Sequence, residues 1–84
     1  MQTREIIKTA IEEIQSNNGR TGAITDGSQI VRDLGFTSLD VAELVAVLEM
    51  ELEVDPFSNG VSLMDVRTYG EFCAVYENAR LKKA

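Results

Sequence analysis

A small all-α bundle of three to four helices is the fold class that the sequence predicts, and three observations predict it. Apolar residues recur at helical spacing in two separate stretches, 3 to 16 and 38 to 53. The segments between them concentrate Asn, Gly, Asp and Ser, the residues that stop helices and make turns. The chain has 84 residues, 44% of them hydrophobic, which fits a single core and one domain over residues 1–84. With one cysteine and no histidine, that core has no intramolecular disulfide and no Cys/His zinc site of four protein ligands to brace it.

In residues 3 to 16, Ile6, Ile7, Ala10, Ile11 and Ile14 form one stripe. Thr3 is the expected N-cap, Glu5 lies near the positive helix end, and Asn17, Asn18 and Gly19 supply the stop. β-Branched Ile is a modest helix former, so this helix depends on tertiary packing. Residues 17 to 36 form a long connection. Because a structureless loop of that length is unusual in a small domain, Ile24, Ile30, Val31, Leu34 and Phe36 are expected to fold back over the helices, with a short turn near 28 to 32.

Residues 38 to 53 give the clearest helix. Val41, Leu44, Val45, Leu48 and Leu52 make a continuous apolar face, and the acids lie mostly elsewhere. Thr37 is the expected N-cap with Asp40 at N3, a capping box with Asp in place of the usual Glu or Gln. Pro56 bars continuation. Ser58, Asn59 and Gly60 then precede Val61, Leu63 and Met64, which an irregular or 3₁₀ segment would return to the core. A last helix is expected from Asp65 or Val66 to about Asn78, with Val66, Tyr69, Phe72, Cys73 and Tyr76 inward and Gly70 weakening its first turns.

Composition narrows function. Eight Lys and Arg against 14 Asp and Glu give a net charge of −6, which disfavours nonspecific binding to nucleic acid or to an anionic membrane and favours partners with basic surfaces. No stretch reaches the roughly 20 apolar residues of a membrane span, and the first residues lack a signal-length hydrophobic run, so the expectation is a soluble, cytoplasmic monomer. A Ser-His-Asp or Cys-His arrangement cannot be assembled without histidine. Asp26, Ser28 and Asp33 do not have the spacing of an EF-hand loop, and no metal site is expected. Cys73 falls on an apolar stripe and reads as packing rather than as a reactive thiol.

The informative run is Asp33-Leu34-Gly35-Phe36-Thr37-Ser38-Leu39-Asp40. If Thr37 caps the helix, Ser38 is its first residue, where free N–H groups and the positive helix end favour an anion such as a phosphate ester. The longer stretch DLGFTSLDVAELVAVLEMEL, residues 33 to 52, resembles the modification motif and second helix of the acyl and peptidyl carrier proteins. Gly35 takes the place of the motif glycine, Ser38 of the modified serine and Leu39 of the leucine that follows. Leu44, Leu48 and Leu52 match the buried spacing, and Glu43 an acid on the recognition face. The family commonly has Asp before the serine, where this chain has Thr37; the cap is kept but a negative charge beside the attachment point is lost.

The resemblance implies that Ser38 carries a covalent 4′-phosphopantetheine arm derived from coenzyme A, whose thiol holds acyl or aminoacyl groups as thioesters. It implies a phosphopantetheinyl transferase as the installing partner and separate loading and processing enzymes with basic docking surfaces. The protein itself would be no enzyme. Thr37, Leu39, Ala42, Glu43 and Ala46 are the candidate partner-binding residues, each with an ordinary structural alternative as a cap, a solubilising charge or a small helix former. Between Arg32 and Arg67 lie eight acids, Asp33, Asp40, Glu43, Glu49, Glu51, Glu53, Asp55 and Asp65, and no base, a pattern suited to steering basic partners. Met50 is placed on neither face by spacing alone. The cargo stays open between a fatty acid, a polyketide intermediate and an amino acid; the acidic charge favours acyl carriage, whereas Thr37 weakens an assignment to primary fatty-acid synthesis. The chain reads as a free-standing carrier or a module excised from a larger synthase. The competing reading is an unmodified interaction module that uses the acidic second helix; a small enzyme lacks any evident acid/base pair in a concave site.

Overall fold

Three helices carry the fold of the computed structural model, which describes residues 2–58 and 60–83. They are α1 (Thr3–Asn17), α2 (Ser38–Leu52) and α3 (Tyr69–Lys83), with single 3₁₀ turns at Pro56–Ser58 and Leu63–Asp65 and no strand among the described residues. α1 packs against both α2 and α3. It buries Ile7, Ala10, Ile11 and Ile14 against Leu44 and Leu48 of α2 and Phe72, Cys73 and Tyr76 of α3 in one shared core. Phe57 of the first 3₁₀ turn meets Phe72 and Tyr76 edge-on, with ring centroids 6.1 and 6.0 Å apart.

The start of α1 differs from expectation. Gln2 occupies the N-cap with no side-chain cap bond, and Thr3 lies inside the first turn and is buried. Its hydroxyl instead accepts a 2.8 Å hydrogen bond from Arg80 at the far end of α3. A tertiary donor has claimed the oxygen that would have served the cap. The stop holds: Asn18 is the C-cap, and Gly19 follows at φ +69°, a left-handed conformation suited to glycine.

The 18–37 connection folds back as expected, with Ile30, Leu34 and Phe36 buried and Ile24 half-buried. Val31 is the exception at 61% exposure. Its segment turns over residues 30–34, where the amides of Asp33 and Leu34 both donate to the Gln29 carbonyl, and that turn sends Val31 outward. An isolated antiparallel bridge joins Gln29 to Thr68. The Ile30 amide donates to the Arg67 carbonyl (2.8 Å), Tyr69 to Ser28 (2.9 Å) and Gly70 to Asp26 (3.0 Å). This close approach explains a glycine inside α3: a Cβ at position 70 would stand 3.0 Å from the Asp26 carbonyl oxygen.

α3 begins at Tyr69 rather than at Asp65 or Val66, and it ends at Lys83 rather than near Asn78. Residues 63–65 form their own 3₁₀ turn, and Val66 is extended at φ −113°, ψ 96°, so it reaches the core from the linker and not from the helix. The Thr68 hydroxyl accepts from the Glu71 amide, and the Glu71 carboxylate accepts from the amides of Thr68 and Arg67. That capping box fixes the start. At the other end, Arg80, Lys82 and Lys83 sit in the last turn, where positive charge suits the helix dipole, and Lys83 donates to the Glu53 carbonyl at 2.7 Å. Glu53, expected within the second helix, is its C-cap at φ 56°, ψ 34°.

Candidate functional site at Ser38

Ser38 is the first residue of α2, and the geometry around it is set by its neighbours. Gly35, at φ +73°, turns the chain and lies beneath the Arg20 guanidinium; a Cβ there would stand 2.0 Å from one of its nitrogens. Phe36 then anchors the chain in the core. Thr37 caps the helix as expected: its hydroxyl accepts from the Asp40 amide (3.1 Å), and the Asp40 carboxylate accepts from the Thr37 amide (2.9 Å). The Asn18 side-chain amide donates to the other carboxylate oxygen at 3.1 Å, tying the end of α1 to the start of α2. The Thr37 amide, followed by the Asn18 donor, holds the Asp40 carboxyl below the usual carboxylate range.

With the cap satisfied by Thr37 and Asp40, Ser38 is left exposed, and its hydroxyl has no hydrogen-bond partner among the described residues. Leu39 is 81% exposed. Ala42, Glu43 and Ala46 continue an exposed face, while Leu44, Leu48 and Leu52 point into the core. Four of the docking candidates, Leu39, Ala42, Glu43 and Ala46, thus share the solvent side of α2, and the fifth, Thr37, is exposed at its cap. Met50 joins that side at 80% exposure, a placement that spacing had left open.

Ser38 also borders a groove of about 820 Å³ that no sequence pattern announced. Its apolar lining comes from four separate segments: Ile30 and Phe36 of the connection, Val41 of α2, Val66 of the linker and Phe72 of α3. The turn contributes Val31 and Arg32 to the lining, and the linker before α3 contributes Leu63, Met64 and Arg67, the last lying beside Ile30, whose amide donates to its carbonyl. Met64 is 79% exposed, so the expectation that residues 61 to 64 return to the core holds only in part, Val61 being half-buried. Helix periodicity could not reveal the groove, because two of its walls are non-helical. The Thr68-x-x-Glu71 pattern was the one sequence signal that would have ended the linker at the right residue.

A second depression of about 540 Å³ lies between residues 53–56 and the last turns of α3. It carries Glu53 and Asp55 beside Lys82 and Lys83, so its charges oppose one another, and it is remote in sequence from Ser38. Other reactive groups are inward. Cys73 is buried, and burial raises its thiol pKa. The Tyr69 hydroxyl donates to the Arg4 carbonyl at 2.9 Å, and burial first of all pushes its pKa up to about 12. Arg4 lies over the Tyr69 ring, 5.4 Å from its centroid, and pairs with Asp26. Among the described residues no cluster of three His, Cys, Asp or Glu is arranged to hold a metal ion, and no helix is long and apolar enough to cross a membrane.

A scan against family models, a search of curated proteins and a search of solved structures each return no match.

Proposed function

We propose that this chain is a carrier that holds acyl or aminoacyl groups on a 4′-phosphopantetheine arm esterified to Ser38 and presents them to separate biosynthetic enzymes. The observation that carries the reading is an exposed serine with an uncommitted hydroxyl, on the first turn of a helix whose cap is complete without it, at the mouth of an apolar groove. A phosphate on the Ser38 oxygen fits the free N–H groups and positive end of α2. In the attachment, the Ser38 oxygen forms a P–O bond to the arm's phosphate, the pyrophosphate bond of coenzyme A breaks, adenosine 3′,5′-bisphosphate leaves and the serine proton goes to solvent. When bound, the arm supplies the thiol that bears cargo as a thioester.

The chain's own residues do the remaining work. Thr37, Asp40 and Asn18 hold the first turn of α2 so that Ser38 is presented to the transferase in a fixed orientation. Leu39, Ala42, Glu43 and Ala46 offer an exposed docking face, apolar but for Glu43, on a helix whose other exposed acids suit partners with basic surfaces. The groove shields cargo between encounters.

Intact mass after incubation with coenzyme A and a broad-specificity phosphopantetheinyl transferase tests the reading. One arm is expected on the natural sequence and none on Ser38→Ala, which keeps the circular-dichroism spectrum and thermal midpoint because Thr37 still caps α2. No addition with several transferases on folded protein would overturn it. The unmodified docking module would then lead, supported by exposed Leu39 and Met50 on an acidic helix.

A further inference from the structure

We propose that the groove beside Ser38 selects cargo whose far end is anionic, an acyl chain joined through its thioester at one end and bearing a carboxylate at the other; this rests on the carrier reading above. The chain as a whole has a net charge of −6, yet among the described residues the only charged ones lining the groove are Arg32, of the turn, and Arg67, of the linker before α3. Two acids of the neighbouring segment are committed to backbone and side-chain donors. Asp33 accepts from the Gln29 amide at 2.8 Å, and Asp40 is committed to Thr37 and Asn18. Neither groove arginine forms an ion pair among the described residues, although the Glu71 carboxylate, which accepts from the Thr68 and Arg67 amides, is near enough for those bonds and then the Arg67 charge to hold its pKa down.

Arg67 is held by a 3.3 Å hydrogen bond from Nε to the Met64 carbonyl, which leaves its terminal nitrogens available. Apart from the arginines the lining is apolar, with Ile30, Phe36, Val41, Val66 and Phe72 among it, except for Gln29, Thr37 and the attachment residue Ser38, and it holds no acid among the described residues. An occupant that satisfies both parts has an apolar body and an anionic terminus. Arginine presents its fork of donors to a carboxylate, and two such forks lining one groove in an acidic protein, neither in an ion pair, are the complement of such an end. The arm's own phosphate is joined to the Ser38 oxygen at the start of α2, whereas Arg32 and Arg67 belong to other segments of the lining. Tethering at Ser38 raises the effective concentration of the cargo, so a modest preference suffices to fill the site.

The test loads the protein from three donors with the same transferase: coenzyme A, octanoyl-coenzyme A and the mono-coenzyme A thioester of octanedioic acid. Intact mass first establishes attachment. Arginine side-chain Nε resonances and the rate of thioester cleavage by hydroxylamine are then compared. The octanedioyl chain is expected to shift the Arg32 and Arg67 signals and to be cleaved about fivefold more slowly than the octanoyl chain, as befits a partly exposed ion pair. The R32Q/R67Q double variant should erase that difference, read as the ratio of octanedioyl to octanoyl cleavage within the same variant, so that any loosening of the segment that Arg67 holds cancels. Equal shifts and rates for the two chains would overturn this inference and leave the carrier standing. So would arginine signals already moved in full by the empty arm, which would make its phosphate the anion. Failure of all three donors to attach overturns the carrier reading itself, and the cargo with it.

Discussion

The Tyr76 hydroxyl is buried and meets no hydrogen-bond partner among the described residues. Burial, with smaller contributions from Asp55 and Glu49, drives its pKa far above the ordinary tyrosine value, so the ring works here as a large apolar body carrying an unrewarded polar atom. Tyr76→Phe should therefore be neutral or stabilising by up to about 1 kcal/mol, read from urea unfolding midpoints; a clear loss of stability would reveal a partner for that oxygen. Cys73 supplies a complementary test. Its burial and raised pKa predict slow reaction of the native unmodified protein with a disulfide reagent, so one rapidly titrating thiol appearing after arm installation would belong to the arm. Gly35 sits at φ +73°, where a side chain is strained, and the Arg20 guanidinium occupies the space of the missing Cβ. Gly35→Ala should cost about 1–2 kcal/mol and move Arg20, with unfolding midpoints as the measure.

At the scale of elements, the two reciprocal caps at the starts of α2 and α3 make stability depend on pH. The carboxyls of Asp40 and Glu71 are both held below their usual range, each first of all by a backbone N–H, that of Thr37 for Asp40 and that of Thr68 for Glu71. The folded state therefore binds their protons less readily than the unfolded chain. Their contribution is complete above the ordinary carboxylate values and is lost as the pH falls through those values and then through the lowered folded ones. Asp40→Asn with Glu71→Gln should flatten the pH dependence of the urea midpoint between about pH 5 and pH 2 relative to the natural sequence. The α2 cap was legible because Thr37 and Asp40 flank a strong apolar period. The start of α3 was missed although Thr68-Tyr69-Gly70-Glu71 spells a capping box, because the apolar Val66 and the discouraging Gly70 drew the boundary forward. Thr3 failed as a cap for a different reason: its partner, Arg80, is 77 residues away and lay outside any local reading.

At the scale of the whole molecule, the helical core followed from periodicity, and the exposure of Ala42, Glu43 and Ala46 followed with it. The groove did not. It exists because residues 29–36, 63–67 and the two helices meet in space, and no single stretch of sequence records that meeting. The acids of α2, by contrast, were legible as charge and act at long range. Glu43→Lys should lower the association rate with the transferase about threefold at low salt, and the difference should shrink near ~0.5 M salt as the screening length falls to a few ångströms. Salt-independent rates for both proteins would count against steering.

The bridge between Gln29 and Thr68 makes the two sides of the groove mechanically unequal. The side bearing Val31 and Arg32 is latched to the root of α3 by the backbone bonds from Ile30, Tyr69 and Gly70, whereas the side bearing Leu63 and Met64 is held by its own short 3₁₀ turn and the Arg67 strut. It behaves as a vice with one fixed and one sliding jaw. Amide hydrogen exchange should find Ile30, Tyr69 and Gly70 slow and Asp65 and Val66 fast, so that a bulkier occupant enters by displacing Met64 rather than by lifting the turn.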